Sequence, residues 1–194
     1  LFVIRGEYLS PDIIKMINSH RKILYEWDSM LNFEYVEKAK CFDKVITFDK
    51  RDADLYGYDY LPLFYSKIKK QDTQDIDLLF VGIWHSDRCQ ILESISKQLS
   101  RFYNLKFYIY YPWYYSIYLI LKRKMKFSRY LTGKKISYNK LIELYSRSKC
   151  VVDINHNLQT GFTMRTMETL GNKIKLITTN CSIKDAEFYD SNNI

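Results

Sequence analysis

Metal-binding and disulfide-forming patterns are missing from this sequence. The chain has four cysteines, Cys41, Cys89, Cys150 and Cys181, which lie far apart without a C-x-x-C pair, and its three histidines are equally scattered. This spacing suggests neither a zinc site nor a disulfide framework. It fits a protein of the reducing cytoplasm. Internal repeats and low-complexity tracts are also lacking, which excludes a repeat protein.

No hydrophobic run is long enough to span a bilayer, and no signal peptide is visible. The most apolar stretch, 107–121, has six tyrosines and a tryptophan and predicts a strand (106–110), a break at Pro112 and a helix. That helix ends in the cations Lys122, Arg123, Lys124 and Lys126. One interpretation is an interfacial anchor on the cytoplasmic face of an anionic membrane. The other is a core strand and a helix with a solvated basic end.

The composition is that of a globular protein with a basic surface. The 194 residues are 47% hydrophobic and 27% charged, enough for one good core or two small ones. A net charge of +8 implies attraction to the phosphates of a nucleotide, a nucleic acid or an anionic lipid. There is no initiator Met, and both ends read as parts of strands, so we expect a fragment of a longer protein.

Alternating strand and helix patterns predict an α/β chain with two Rossmann-like domains, the first one incomplete. In the first domain, strands are predicted at 1–4, 22–27 and 44–48, and helices at 11–19, 35–39 and 50–56. Pro62 disfavours an inner strand, and 67–75 is polar and unpatterned. We therefore assign 1–66 to the end of a first domain, 67–76 to a linker and 77–194 to a second domain that is truncated at its end.

The second domain opens with a buried-type strand that ends at Gly82 and leads into a helix predicted at 87–102. Glycine permits close backbone approach, and Ser86 can cap the helix. Arg88 lies in the first helical turn, where a cation opposes the helix dipole and is favoured by a bound anion. The alternative is a plain strand-to-helix turn with a solvated arginine. His85 is interpreted as a polar loop residue.

A second helix start with the same character lies in a βαβ unit with strands predicted at 150–154 and 175–179. The helix begins near 161–163, at the edge of the sheet where parallel sheets bind ligands, and its N–H groups favour a phosphate. Arg165 again lies in the first turn. A helical wheel groups Arg165 with Glu168 on a polar face opposite the apolar residues Met164, Met167 and Leu170. The alternative is an exposed ion pair between Arg165 and Glu168.

These residues also carry a family resemblance, which covers 77–194. The pattern resembles the donor-binding half of GT-B glycosyltransferases, especially bacterial enzymes of capsule and lipopolysaccharide assembly. It consists of Ser137-Tyr138, Asp153-Ile154-Asn155, Gln159-Thr160-Gly161, Arg165, Glu168 and Leu176-Ile177-Thr178-Thr179-Asn180. The resemblance implies two domains facing each other across a cleft, and transfer of a sugar from a nucleotide-diphosphate donor to a glycan or lipid-linked acceptor.

The resemblance assigns roles to individual residues. Glu168 would accept hydrogen bonds from the ribose hydroxyls of the nucleotide-sugar, and Arg88 and Arg165 would neutralise the leaving diphosphate in place of a metal ion. The other implied donor-binding residues are Gly82, Ser86, Gln159, Gly161 and Thr163. We expect no metal, because the triplets Asp52-Ala53-Asp54 and Asp75-Ile76-Asp77 fall in a helix start and in the linker. We expect no cofactor, because the nucleotide-sugar is a substrate.

The catalytic step is less defined by the sequence. Many retaining members of the family carry a second glutamate where this chain has Thr160, so the stereochemical outcome stays open. If the enzyme inverts, the catalytic base would come from the first domain, and Asp28, at the end of the strand predicted at 22–27, is the visible candidate.

Two other function classes remain open from sequence alone. A nucleic-acid-binding module would use the basic charge and the eighteen tyrosines for phosphate attraction and base stacking. The tyrosines, however, are bunched in apolar strand-like runs without an RNA-binding signature. A non-catalytic scaffold with a degenerate transferase fold is the third class.

Overall fold

The first of two all-parallel sheets is built from the N-terminal third of the chain. The computed structural model describes residues 1–85, 87–112, 129–156 and 161–194. Four strands pair in sequence order: β1 (Phe2–Ile4), β2 (Ile23–Glu26), β3 (Lys44–Thr47) and β4 (Asp59–Tyr60). Three helices connect them: α1 (Pro11–Met16), α2 (Val36–Ala39) and α3 (Lys50–Tyr56).

The second sheet has five parallel strands in the order β7-β6-β5-β8-β9. They are β5 (Ile76–Ile83), β6 (Leu105–Tyr110), β7 (Leu131–Thr132), β8 (Ser148–Asp153) and β9 (Lys175–Thr178). Helices α4 (Arg88–Leu99), α5 (Tyr138–Ser146) and α6 (Met164–Gly171) lie between strands, and a 3-10 helix (Cys181–Asp185) follows β9. The predicted α/β class with two Rossmann-like sheets is confirmed.

The strand order of the second sheet reverses between β5 and β8. From β5 the chain builds outward through β6 and β7, then returns to the other side of β5 for β8 and β9. Apolar layers cover both faces: Phe80, Leu92 and Ile109 lie in one, and Leu79 and Val151 in the other. Such a reversal opens a crevice at the carboxyl ends of the two central strands, where α/β sheets of this kind bind ligands.

Local sequence explains where the helices begin. The side chain of Ser10 accepts a hydrogen bond from the Ile13 amide ahead of Pro11, and Asp49 caps α3 by accepting one from the Arg51 amide. Helix α3 ends at Gly57, whose φ of 68° is the left-handed conformation that glycine adopts without steric cost. These short helices therefore have chemically defined ends.

Several elements differ from the sequence predictions. Helix α1 ends at Met16 and not at residue 19, because the C-cap residue Ile17 is already extended. The two-residue strands β4 and β7 and helix α5 were not predicted. Strands this short leave too little alternation to detect. The predicted helix after Pro112 and its cations Lys122, Arg123, Lys124 and Lys126 lie outside the described residues. No helix in the described part of the chain is long and apolar enough to cross a membrane.

Residues 61–75, between the two sheets, contain neither helix nor strand and are held against the second sheet. The side chain of Asn172 accepts a hydrogen bond from the Ile68 amide (2.7 Å) and donates one to the Ser66 carbonyl (2.9 Å). The ring of Tyr65 lies so close to Gly171 that a Cβ there would be 2.3 Å from it. The connection is thereby fixed at the end of α6.

The carboxyl edges of the two sheets meet. The Gly161 amide, which precedes α6, donates a hydrogen bond to Oδ2 of Asp49, which follows β3 (3.0 Å). A Cβ on Gly161 would lie 2.5 Å from the ring of Phe48, so a larger residue would force the two segments apart. Beside this contact lies a cleft of about 930 Å³ lined by both parts of the chain, including Lys50, Tyr60, Phe162, Met167, Glu187 and Phe188.

Candidate anion site at the strand-order reversal

Two arginines converge where the order of the second sheet reverses. Arg88 is the first residue of α4, and Arg165 is the second residue of α6. Both guanidinium groups lie near the ring of Phe80 in β5, with the Cζ atoms 5.6 Å (Arg88) and 4.9 Å (Arg165) from its centroid. The two helix starts that the sequence singled out are thus brought together at one crevice.

Arg165 points into the protein and not into solvent. Its Nη1 forms an ion pair with Oδ1 of Asp153 at 2.5 Å, and its Nε and Nη2 donate to the Val81 carbonyl. Gly82 makes this approach possible, because a Cβ there would lie 2.9 Å from Nη2 of Arg165. The alternative of an exposed pair between Arg165 and Glu168 was wrong, since the Arg165 side chain is only 14% exposed.

Asp153 organises the start of α6. Its fully buried carboxylate accepts hydrogen bonds from the hydroxyls of Thr163 and Thr166, both at 2.7 Å, besides its ion pair with Arg165. Thr163 is the N-cap of α6 and also accepts from the Thr166 amide. The carboxylate at the end of β8 therefore holds both the cap and the first-turn arginine of the helix.

The apolar stripe of α6 is not its most buried face, contrary to the helical wheel. Thr166 and Thr169 are buried, whereas Met164, Met167 and Leu170 are only half-buried, and Met167 lines the cleft. Thr166 tolerates burial because its hydroxyl donates a hydrogen bond to Asp153. A small hydrogen-bonded residue can lie closer to the sheet than a methionine.

Arg88 is buried against backbone carbonyls. Its Nε and Nη2 donate to the Ile154 carbonyl (2.9 and 2.6 Å), and its Nη1 donates to the Ile83 carbonyl (2.8 Å). These bonds tie together the carboxyl ends of β5 and β8. Burial and the neighbouring charge of Arg165 lower the pKa of Arg88 to about 9. The alternative of a solvated arginine at this turn was wrong.

Positive charge exceeds negative charge at the crevice. Within the described residues, Asp153 is the single carboxylate within ion-pair distance of either Arg88 or Arg165. Two largely buried guanidinium groups thus lie near a single buried carboxylate, which pairs with Arg165, and an additional anion would stabilise this arrangement.

Two histidine rings lie at the same edge. His85 follows β5, His156 follows β8, and their ring centroids are 5.3 Å apart. Burial and the charge of Arg88 lower the pKa of His85 to about 4, so its imidazole is neutral at pH 7. His156 was missed from sequence, although it follows its strand just as His85 does.

Glu168 lies one helical turn after Arg165 and is half-buried. Burial raises the pKa of this carboxyl group, while the charge of Arg165 acts in the opposite direction. The buried Tyr145 of α5, which sequence reasoning missed, lies within the electrostatic influence of Arg165 and Glu168, and burial raises the pKa of its phenol.

The roles predicted for Gly161, Thr163 and Glu168 stay predictions, and Ser86 and Gln159 lie outside the described residues.

Asp28 lies just beyond the end of β2, at the carboxyl edge of the first sheet, as predicted. Its carboxylate is 2.7 Å from Nε of Arg5 and accepts a hydrogen bond from the Asn32 side chain. Its catalytic role stays a prediction.

A buried glutamate two residues before Asp28 was missed from sequence. Glu26 is fully buried, and neither of its carboxyl oxygens has a hydrogen-bond partner among the described residues. Nε1 of Trp27, Oγ of Ser29 and the hydroxyl of Tyr35 are likewise buried without a hydrogen-bond partner among the described residues. Burial raises the pKa of Glu26 to about 8. An acidic residue that ends an apolar strand, Ile23–Glu26, was the available signal.

The described part of the chain contains no group of three or more His, Cys, Asp or Glu side chains placed to hold a metal ion. Asp75 forms an ion pair with Arg147, and Asp77 forms one with Lys149.

No protein-family model and no curated protein matches this chain. The fold and site define a Rossmann-like α/β protein with two parallel sheets, and its function has to be inferred from the geometry of the crevice.

Proposed function

We propose that this chain is part of a GT-B glycosyltransferase that moves a sugar from a nucleotide-diphosphate donor to a glycan or lipid-linked acceptor. The observation that carries the proposal is the convergence of Arg88 and Arg165 on Phe80, where the one buried carboxylate, Asp153, pairs with Arg165. The nucleotide diphosphate would bind at the crevice between β5 and β8.

Electrostatics supports a diphosphate as the ligand. Departure of the nucleotide leaves negative charge on the diphosphate, and preorganised cations stabilise such charge as it develops. Arg88 and Arg165 are held in place by bonds to the Ile83, Ile154 and Val81 carbonyls, so little reorganisation is needed. A guanidinium carries more N–H groups than these bonds use, which leaves charge-assisted donors for a phosphate.

The nucleoside would extend from the diphosphate along α6. The N-terminus of this helix supplies a positive dipole end beside Arg165. Glu168 lies on the next turn, where its half-buried carboxylate would accept hydrogen bonds from the ribose hydroxyls.

The acceptor would approach from the first sheet, whose carboxyl edge faces this crevice through the contact between Asp49 and Gly161. Asp28 remains the proposed base for an inverting reaction. Contact with an anionic membrane through Lys122, Arg123, Lys124 and Lys126 remains a prediction from the sequence.

Calorimetric titration tests the proposal directly. We expect uridine, guanosine or adenosine diphosphate to bind more tightly than the corresponding nucleoside and more tightly than single-stranded RNA of mixed sequence. Preference for RNA would instead support a nucleic-acid-binding module. Absence of sugar transfer or donor hydrolysis in the full-length protein, despite diphosphate binding, would support the non-catalytic scaffold.

Replacing Glu168 by Ala should weaken nucleoside diphosphate binding by about 1–3 kcal/mol, because charge-assisted hydrogen bonds to the ribose would be lost. Binding of inorganic pyrophosphate, which lacks a ribose, should change little. Calorimetry with both ligands measures the contrast.

The matched control is Glu37→Ala, since Glu37 is an exposed helical glutamate on α2, paired with Lys40, in the first part of the chain. It should leave both affinities unchanged. Equal losses for nucleoside diphosphate and pyrophosphate in Glu168→Ala would show that the assignment of the ribose to Glu168 is wrong.

A further inference from the structure

We infer that Asp49 is an internal competitor for the anion site, occupying the Gly161 amide that a donor phosphate would use. The inference rests on the proposed function, because it concerns the same loop and helix start. Asp49, which follows β3 of the first sheet, would then set the affinity of the site. It would also couple ligand binding to the hydrogen bond between Asp49 and Gly161.

The first observation is the double engagement of the Asp49 carboxylate. Its Oδ1 accepts the Arg51 amide (3.0 Å) and so caps α3, while its Oδ2 accepts the Gly161 amide (3.0 Å). The residue is 1% exposed. One carboxylate therefore joins the start of a helix of the first part of the chain to the loop that enters α6.

The second observation is that Gly161 has an amide placed to bind an anion. Its amide N–H stands two residues before the N-cap Thr163, at the positive end of α6, and in this structure it is already bonded to a negatively charged oxygen. Its carbonyl accepts a hydrogen bond from the Asn180 side chain (3.3 Å), which fixes the peptide. An amide held in this way selects an anion, and Asp49 is the anion that it holds here.

The third observation concerns the shape of the contact. The ring of Phe48 covers the α-carbon of Gly161 so closely that a Cβ would lie 2.5 Å away. A phosphate oxygen that takes the Gly161 amide must displace the Asp49 carboxylate from it. Phosphate binding at this amide and the hydrogen bond between Asp49 and Gly161 then compete, so each weakens the other by the same factor.

The variant Asp49→Ser tests the inference, because serine keeps the ability to cap α3 while removing the negative charge and the longer reach to Gly161. We expect the affinity for uridine diphosphate and for inorganic pyrophosphate to rise about tenfold, since a charged hydrogen bond no longer competes. Asp49→Asn, which retains the cap and a neutral acceptor, should give a smaller increase.

The matched control is Asp54→Ser, which makes the same change of charge at an exposed residue that lines the same cleft. It should change affinity much less than Asp49→Ser. If both serine variants raise affinity equally, the effect is general electrostatics and the inference is wrong.

Hydrogen exchange of the Gly161 amide provides a readout that needs no ligand. The amide should be protected in the wild type and should exchange faster in Asp49→Ser; an unprotected amide in the wild type would overturn the inference without touching the proposed function. Wild-type diphosphate binding that Asp49→Ser leaves unchanged or weakens would also overturn the inference alone. If neither the wild type nor any variant binds uridine diphosphate or pyrophosphate, both the inference and the proposed function fail.

Discussion

Replacing Arg165 by Met should lower the free energy of unfolding by about 3–5 kcal/mol, because it leaves a buried carboxylate without its cation. The Asp153 side chain is fully buried, and its Oδ1 lies 2.5 Å from Nη1 of Arg165. Methionine fills much of the same volume, so the loss reports on the ion pair and on the bonds to the Val81 carbonyl. Urea denaturation followed by circular dichroism measures the effect.

Two further variants make the test specific. In Arg147→Met the lost cation is a more exposed one that pairs with Asp75 and Glu143, so a much smaller loss is expected. Adding Asp153→Asn to Arg165→Met should restore part of the stability, since a neutral amide needs no cation and can still accept from the threonine hydroxyls. Equal losses in Arg165→Met and Arg147→Met would contradict the buried pair.

Replacing Glu26 by Gln should stabilise the protein at pH 8 by about 2–4 kcal/mol. Burial raises the pKa of Glu26 from an ordinary 4.5 to about 8. The negative charge of Asp28 also raises this pKa, while the positive charges of Lys38 and Arg5 lower it. Between these pH values the folded protein holds a proton that the unfolded chain releases. The contribution of protonated Glu26 to stability is therefore complete below pH 4.5 and is lost as pH rises through 8.

Glutamine stays neutral in both states, so the variant should lack this decline. Unfolding free energies of wild type and Glu26→Gln, measured from pH 4 to pH 9, should converge at the acid end and separate toward pH 8. Glu37→Gln, at an exposed glutamate, serves as the control and should follow the wild type. Parallel curves for wild type and Glu26→Gln would show that Glu26 is ionised in the folded protein near neutral pH.

The sequence predicted most of the fold because its strands are short apolar runs between polar turns. The strands at 44–47 and 76–83 and helix α3 follow from such runs and from a capping aspartate. Strand β7 and helix α5 were missed. A two-residue strand depends on pairing with β6, and that pairing is not encoded locally.

The sequence also singled out the two arginines that the structure brings together, but not the groups that they contact. First-turn arginines marked both helix starts, since a cation is unfavourable there without a compensating anion. In the structure, Asp153 compensates part of the positive charge of Arg165. Arg88 is held by carbonyls at the ends of two strands. Contacts of this kind depend on strand order, and the bond between Asp49 and Gly161 spans 112 residues. Local spacing cannot encode them.

Mapping the binding site by amide hydrogen exchange tests the central claim most directly. With a saturating nucleoside diphosphate, we predict new protection in the two segments that enter α4 and α6, residues 82–88 and 162–168, and little change in α1 or α2. Inorganic pyrophosphate should protect the same two helix starts. Saturable binding that leaves both segments unprotected, or protection confined to another surface, would contradict a diphosphate site at the reversal between β5 and β8.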